Sequence, residues 1–278
     1  MKNPSSVSYK VAALTDVGIK RKGSPNQDSI GSVLPGLFQS RPPLLILADG
    51  MGGYAGGSQA SQMVIQAFKR VYLGSQQNAA VQTTLEAAVN TALADIRQFS
   101  KNKPELESMG STVVAVVLQP GQASLINVGD SRAYIIRDNQ LIQISKDQSM
   151  VAEMVRQGVM TASEAQVSPN RNRLNMALSA KRDKVEPHTS SIELLKDDGV
   201  LLCSDGLWGC VPETLIQAVA SHMPPAVAAT RLIELANQAG GADNISVVIA
   251  MPVELVKRMK STHNQADNDK TDPGLMGS

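Results

Sequence analysis

The sequence is poor in aromatic residues, cysteine, histidine and long apolar runs, and it has no excess of either charge. Its 278 residues include 3% Phe, Trp and Tyr, and lysine plus arginine total 26 against 25 acidic residues. No overall charge therefore attracts nucleic acid or an anionic membrane. The longest apolar segments, 44–48 and 113–118, are far shorter than the ~20 residues that span a bilayer, and the opening MKNPSSVSYK lacks the apolar segment of a signal peptide. The sequence predicts a cytoplasmic protein without a nucleic-acid or membrane partner.

The two cysteines do not indicate a disulfide framework or a zinc site. Cys203 and Cys210 both lie in apolar sequence surroundings, and the chain has only these two. Such a pair is typical of reduced thiols in a protein core. We therefore expect both to be core thiols.

Short β-branched segments alternate unevenly with helical patterns along the chain. Strands are predicted at 9–15, 44–48, 112–118, 123–128, 133–137, 200–203 and 245–250. Apolar stripes at helical spacing predict two consecutive long helices around 63–72 and 85–96, and further helices are predicted at 148–157, 212–220 and 226–238. Because the two long helices do not alternate one-for-one with strands, an α+β layered fold is favoured over a doubly wound parallel sheet. We expect one domain over residues 1–252 and a polar, disordered tail over 253–278.

Aspartates recur where apolar runs end. Asp49 stands at the end of the apolar run in LLILADG, Asp205 at the end of the run in LLCSDG and Asp130 at the end of the run in LINVGDS. Asp243 lies just before a strand in GADNISVVIA, and Asp28 lies in SPNQDS. If these ends meet at one edge of the fold, several carboxylates converge and repel one another unless a cation neutralises them. Hard divalent ions such as Mg²⁺ or Mn²⁺ suit an oxygen-rich site with few histidines.

A simpler interpretation of each Asp-Gly pair is also open. Asp-Gly is common turn chemistry, and any single pair is more often a plain turn than a metal ligand. The alternating acidic loop of an EF-hand is absent, and DGMGGYAGG contains neither GK[ST] nor a dinucleotide fingerprint. The recurrence of the pattern, and not any one pair, indicates the metal site.

Taken in order, eight motifs resemble those of bacterial metal-dependent serine/threonine protein phosphatases of type 2C. They are TDVGIKR, NQD, ADGMGGYAGG, GSTVVAVVL, NVGDSRAY, DQS, LLCSDGLW and GADNISVV, and they extend over almost the whole predicted domain. The resemblance implies a β-sandwich of two antiparallel sheets flanked by pairs of α-helices, a four-layer αββα fold. It also implies hydrolysis of phosphoserine and phosphothreonine in proteins, often in opposition to a cognate kinase, and we expect a monomer.

The resemblance also implies roles for individual residues. Asp49 resembles the carboxylate that bridges two Mn²⁺ or Mg²⁺ ions, and Gly50 resembles a ligand that uses its carbonyl. Asp205 and Asp243 resemble the acids of the second ion. Asp130, with Asp205, resembles the ligands of a third, weaker ion, and Asp28 resembles the acid that contacts metal-bound water. Two such ions activate a water for in-line attack on phosphorus, so no protein nucleophile is needed.

The first motif departs from the family pattern. The family's phosphate-binding arginine stands three residues before the Asn of N-E-D, but Arg21 stands five before Asn26 because KGSP lengthens the loop. A planar guanidinium binds phosphate bidentately, so Arg21 is our candidate phosphate clamp, with Lys20 and Lys22 as competitors and a purely solvated loop as the alternative. Gln27 replaces a glutamate, which removes a negative charge near the second metal.

Tyr54 replaces the histidine of DGMGGH, the proposed general acid for the leaving serine or threonine oxygen. A positioned acid contributes ~10²–10⁴ in rate, and a tyrosine with a pKa near ~10 donates a proton only weakly at neutral pH. Either a metal-bound water supplies the proton, Tyr54 does so slowly, or the ring only packs or faces substrate. Ser58 and Ser179 also replace family residues, and we expect local structural effects from both.

Two hypotheses about function follow. The leading one is an active phosphoprotein phosphatase, in which the segment 147–180 forms a flap that helps to select substrates. The alternative is a weakly active or inactive relative that binds phosphorylated proteins as a regulatory module, which Tyr54, Gln27 and the long arginine loop would favour. Retention of all five aspartates argues for the enzyme.

Overall fold

The computed structural model describes residues 7–36, 41–52 and 54–259, with the side chains of all of these except Tyr54 and Ala55. Two antiparallel sheets pack face to face, and helices cover both outer faces. The strands are β1 Tyr9–Asp16, β2 Asp28–Val33, β3 Leu44–Met51, β4 Gly110–Ser111, β5 Val113–Gln119, β6 Gln122–Val128, β7 Arg132–Arg137, β8 Gln140–Gln143, β9 Leu178–Ser179, β10 His188–Glu193, β11 Gly199–Cys203 and β12 Ile245–Pro252. The helices are α1 Tyr54–Gly74, α2 Val81–Ser100, α3 Met150–Arg156, α4 Ala162–Val167, α5 Asp205–Trp208, α6 Glu213–His222 and α7 Pro225–Gln238.

The five-stranded sheet has the order β1-β12-β11-β7-β8, and the other sheet has the order β10-β6-β5-β3-β4-β9, with β2 also paired to β3. Every pairing between the described strands is antiparallel. Hairpins and returning strands therefore bring one end of β3, β6 and β11 to the same edge as the starts of β2, β7 and β12.

The alternation of side chains along β3 explains the layers. Leu44, Ile46 and Ala48 point toward α1 and α2, whereas Leu45 and Leu47 point into the space between the two sheets. A strand that is apolar at every position must bury both faces, because successive side chains point to opposite sides. A third apolar cluster lies between the five-stranded sheet and α6 and α7.

These layers confirm the predicted α+β class and the αββα β-sandwich. The predicted strands all form, with ends that shift by up to three residues. The sequence pattern missed β2, β4, β8, β9, β10, α4 and α5, which are short or exposed on one side.

Two further expectations differ from the structure. Residues 253–259 are helical and Val256 is buried against the five-stranded sheet, because apolar side chains recur on one face there. The folded region thus continues beyond the predicted boundary at Pro252, while the rest of the predicted tail lies outside the described residues. Cys203 is buried, but Cys210 is exposed after α5 with its thiol directed at the carbonyl of Gly206, so the expectation of a core thiol is wrong there.

Among the described residues, no helix is both long enough and apolar enough to cross a membrane.

Candidate metal and phosphate site

Strand pairing brings the candidate aspartates to one edge of the sandwich. Asp49 near the end of β3 is the register partner of Asp28 at the start of β2. Asp205 follows β11 and opens α5, Asp130 lies in the turn between β6 and β7, and Asp243 lies just before β12. All five belong to strand ends at this edge, which we call the carboxylate edge.

The backbone of Asp49 is held from both sides. Its N–H donates to Thr112 Oγ1 at 3.0 Å, and its carbonyl accepts from the Thr112 N–H at 2.8 Å and from the Ser111 hydroxyl at 3.0 Å. The N–H of Gly50 donates to the carbonyl of Gln27 at 3.1 Å. These bonds fix the position of the aspartate where the strand ends.

Gly50 is required by close packing. A Cβ atom at this position would lie 2.1 Å from the carbonyl oxygen of Gly57 and 2.7 Å from that of Gln27. Contacts this short exclude any side chain, so the first turns of α1 approach β3 closely only because residue 50 is glycine. The chain passes next to the carboxylates at this point, as the proposed carbonyl ligand requires.

Asp28 is a buried carboxylate that has a hydrogen-bond partner on only one of its oxygens. It is 6% exposed, and its Oδ2 accepts a hydrogen bond of 2.7 Å from the Ser204 hydroxyl. Burial raises the pKa of Asp28 to about 7, and the charges of Asp205 and Asp243 add to this effect, while the Ser204 hydrogen bond opposes it. Ser204 in turn accepts from the N–H of Ser246 at 3.0 Å, so both sheets hold this contact.

The pKa values of the other buried aspartates at this edge are also raised. Burial is the largest cause of the raised pKa values of Asp49 and Asp130, and both values are raised further by neighbouring aspartates. Burial raises the pKa of Asp205 to about 6, and the charge of Asp243 adds to this. Like charges this close cost free energy when all are ionised, which is the condition that a bound cation relieves.

Unpaired oxygen atoms show that the residues fit a hard divalent cation. Within the described part of the chain, Asp28 Oδ1 and Asp205 Oδ1 are buried without a hydrogen-bond partner. A buried carboxylate oxygen without a donor is costly, and Mg²⁺ or Mn²⁺ would satisfy it with the oxygen ligand that these ions prefer. Among the described residues no three acids, histidines or cysteines already meet as a closed ligand set, so binding would require some side chains to turn.

Asp243 is one side chain that would have to turn. Its Oδ1 forms an ion pair of 2.8 Å with Arg21 Nη1, which also donates to Gln27 Oε1 at 3.3 Å. Lys20 and Lys22 are exposed on either side of Arg21. The structure therefore places the Arg21 guanidinium against the carboxylate edge, next to Gln27.

Tyr54 is the first residue of α1, directly after the DGMGG loop. Its backbone thus starts the helix whose Gly57 packs on Gly50. The orientation of its ring lies outside the described side chains, so the proposed acid role stays a prediction.

A second group of side chains supports the Asp130 turn. The indole N–H of Trp208 donates to the carbonyl of Asp130 at 3.1 Å, and the Arg132 guanidinium lies 3.7 Å from the Trp208 ring centroid. Arg132 also binds both carboxylate oxygens of Asp147, with the shortest contact at 2.7 Å. Gly129 has a φ of 102° and packs on Thr112, which links this turn to Asp49.

Sequence reasoning missed the polar residues that hold the acids. Ser204 directly precedes Asp205, and Asn244 directly follows Asp243; the Asn244 amide accepts from the Gln27 N–H at 2.8 Å and donates to the Val17 carbonyl at 2.9 Å. Their adjacency to motif aspartates was the available signal. Their partners are far away in sequence, so the contacts themselves were not predictable.

Comparison with known proteins places these features in a family. The Protein phosphatase 2C model matches residues 18–242. The chain is 38% identical over 247 residues to the serine/threonine protein phosphatase PstP of Mycobacterium tuberculosis, covering 88% of this chain. It is 33% identical over 223 residues to the serine/threonine phosphatase stp of Listeria monocytogenes, covering 77% of this chain and 87% of that protein. The solved catalytic domain of PstP in complex with two manganese ions is similar with a TM-score of 0.77 and 37% identity, covering 89% of this chain and 99% of that one.

The chain spans 45% of the length of the M. tuberculosis relative, so the likeness concerns a part of that protein. The range matched by the family model includes all the candidate aspartates except Asp243, which directly follows that range. The chain belongs to the protein phosphatase 2C family.

Proposed function

We propose that the protein is a metal-dependent phosphatase that hydrolyses phosphoserine and phosphothreonine in proteins. The observation that carries this proposal is the carboxylate edge, where aspartates from five strand ends lie together and two buried carboxylate oxygens have no hydrogen-bond partner among the residues that the structure describes. An arrangement this costly to folding is expected where a cation offsets the repulsion. The names of the relatives, which are serine/threonine phosphatases, support the substrate class.

The cations would be two Mn²⁺ or Mg²⁺ ions, with a weaker third one near Asp130. Asp49 would be a ligand of both ions and the carbonyl of Gly50 a further ligand, while Asp205 and Asp243 would hold the second ion. When bound, such a pair supplies a water of lowered pKa and neutralises charge on the phosphoryl oxygens. The manganese complex of PstP supports this choice of ion.

The protein's own residues have three tasks in this reaction. The backbone of Asp49 is fixed by hydrogen bonds with the hydroxyl groups of Thr112 and Ser111, which keeps the ligand geometry constant. Arg21 would leave Asp243 and clamp the substrate phosphate, since its guanidinium is 36% exposed and already at the edge. Tyr54 would stand beside the leaving oxygen, where a proton must be supplied.

The direct test is hydrolysis of an aryl phosphate and of a phosphoserine peptide, with Mn²⁺ and with EDTA. Wild-type protein should turn over both substrates only with metal, and Asp205→Asn should abolish both activities. Asp197→Asn changes a half-exposed aspartate that pairs with Arg258 before β11, at the opposite end of the sandwich; it is the matched control and should retain both activities. Equal rates with and without metal, or none at all, would refute the proposal.

We also propose that the substrates are products of a cognate serine/threonine kinase and that the protein acts as a monomer. Phosphoproteome comparison of cells with and without the protein tests the first point. Light scattering of the purified chain tests the second, and a dimer mass would refute it.

A further inference from the structure

A groove on the outer side of the seven-stranded sheet lies near the carboxylate edge but is separate from it. It is formed by the end of α2, the 3-10 turn Pro104–Leu106 and Ala180 after β9, and it has a volume of about 770 Å³. Its charged lining residues are Arg97, Lys101, Lys103 and Glu107. We call it the basic groove.

The charge of the basic groove differs from that of the whole chain. Three of its four charged lining residues are cationic, whereas the chain carries a net charge of only +1. The adjoining segment AKRDK adds Lys181, Arg182 and Lys184 against a single Asp183. The positive charge is thus local, and a local cationic concavity attracts anionic groups.

These cations are available to an incoming ligand. Arg97 pairs with Asp183 at 2.7 Å, but the two side chains are 46% and 89% exposed. Lys181 pairs with Glu107 at 3.1 Å with similar exposure. Ion pairs this exposed contribute little, so an anion can displace them. Lys101 is exposed and has no ion pair among the residues that the structure describes.

One cation of the groove is held in a fixed position. Lys103 Nζ lies 3.8 Å from the centroid of the Phe99 ring, on the last turns of α2. A cation held over an aromatic face loses less conformational freedom when it binds an anion. The groove therefore combines an exposed cation at Lys101 with one held against an aromatic ring at Lys103.

A short, tightly turned segment connects the groove to the catalytic candidates. The Leu106 N–H donates to the Lys103 carbonyl at 2.9 Å, and the Met109 N–H donates to the Leu106 carbonyl at 2.9 Å. The next residues, Gly110–Ser111, pair with Gly50 and Met51 of β3. Residue 103 and residue 110 are seven positions apart, so even an extended chain would separate them by at most about 25 Å.

We propose that the basic groove binds an acidic segment of the protein substrate, within about seven residues of the phosphoserine or phosphothreonine that is hydrolysed. This inference rests on the proposed function. The anionic groups are carboxylates or a second phosphoryl group, which share the chemistry that a lysine pair recognises. A protein segment is favoured over nucleic acid, because Glu107 lies among the cations and Lys103 already covers the Phe99 ring, on which a base would otherwise stack.

Three phosphoserine peptides of equal length test the groove. One carries glutamates on one flank, one carries a second phosphoserine there, and one carries glutamines. KM and kcat are measured with Mn²⁺ for the wild type, Lys101→Glu/Lys103→Glu, Lys101→Glu and the conservative Lys101→Arg. Lys196→Glu is the matched control, since Lys196 is exposed in the turn between β10 and β11 at the far end of the sandwich.

We expect the wild type to show a KM about fivefold lower for the anionic peptides than for the glutamine peptide. The double variant should lose this preference and its dependence on salt, Lys101→Glu should lose part of it, and Lys101→Arg and Lys196→Glu should keep it. Preference for the second phosphoserine alone supports the proposal with phosphoryl as the anion, and preference for glutamate alone supports it with carboxylate. If the double variant unfolds at a lower temperature than the wild type, the KM values of the single variant Lys101→Glu are used to judge the proposal, because this substitution breaks no ion pair between described residues.

Equal KM values for all three peptides, or equal loss in Lys196→Glu, would overturn the proposal while leaving the phosphatase function intact. Fluorescence anisotropy of a labelled, unphosphorylated glutamate peptide gives a readout without turnover. If no substrate is hydrolysed, the proposed function fails, and peptide binding that is lost in Lys101→Glu would still support the groove. A single-stranded oligonucleotide that displaces this peptide at lower concentration than the unlabelled peptide does would overturn the choice of ligand.

Discussion

Replacing Asp28 with asparagine should stabilise the metal-free protein at neutral and alkaline pH. Asp28 is 6% exposed and its pKa is raised from 3.8 to about 7, chiefly by burial. A tenfold change in a proton-binding constant corresponds to about 1.4 kcal/mol, so the ionised carboxylate costs the folded state up to about 4 kcal/mol. Asparagine keeps an acceptor for the Ser204 hydroxyl, but its amide N–H group would lack a partner, which costs about 1–3 kcal/mol. We expect a net gain of about 1–3 kcal/mol.

The pH dependence gives the sign of this effect. Because the folded pKa lies above the unfolded value, the wild type is most stable below pH 4 with respect to this group and loses stability as the pH rises to about 7. Asparagine does not titrate. The advantage of Asp28→Asn should therefore increase from pH 4 to pH 7 and stay constant above that.

Urea denaturation in EDTA at pH 5 and pH 8 measures both free energies of unfolding. The advantage of the variant should be larger at pH 8, and added Mn²⁺ should stabilise the wild type more than the variant because the cation neutralises the Asp28 carboxylate. A variant that is less stable than the wild type in EDTA at pH 8, or a difference that does not change with pH, would refute the reasoning.

Three further predictions concern other parts of the site and core. Tyr54→His should raise turnover of a phosphoserine peptide more than turnover of an aryl phosphate, whose leaving group needs little protonation; equal effects on kcat would exclude an acid role. Trp208→Phe keeps an aromatic face under Arg132 but removes the hydrogen bond to Asp130, and urea denaturation should show a loss of about 0.5–1.5 kcal/mol, whereas no loss would contradict the contact. Ile46→Ala, fully buried in β3, should cost about 2–5 kcal/mol in the same measurement, and a cost under about 1 kcal/mol would contradict the packing.

The central strands and long helices were predictable because their patterns are local. The run 44–48 is buried on both faces, and the apolar stripe around 85–96 packs on the sheet. The spacing of apolar residues therefore predicts directly which side chains are buried. The β2 segment DSIGSV and the β10 segment HTSSIE carry few apolar residues and are ordered by their partners β3 and β6. Their formation depends on long-range pairing that no local pattern contains.

The candidate site shows the same division. Strand ends predicted that Asp49, Asp205 and Asp130 would converge, since one end of an apolar strand is visible in the sequence. The ion pair of Arg21 with Asp243 was not predictable, because it depends on how the lengthened loop folds across the start of β12. The turn formed by Gly18, whose φ is 80° and whose missing Cβ would lie 2.1 Å from the Asp243 carbonyl oxygen, brings these two segments together.

The most direct test of the central claim is phosphate release from a phosphoserine peptide as Mn²⁺ is titrated into metal-free protein, with the wild type and Asp49→Asn side by side. The account predicts no release without metal, a saturable increase with Mn²⁺ for the wild type, and no increase for Asp49→Asn at any concentration. Wild-type and Asp49→Asn proteins with the same Mn²⁺ response would contradict it.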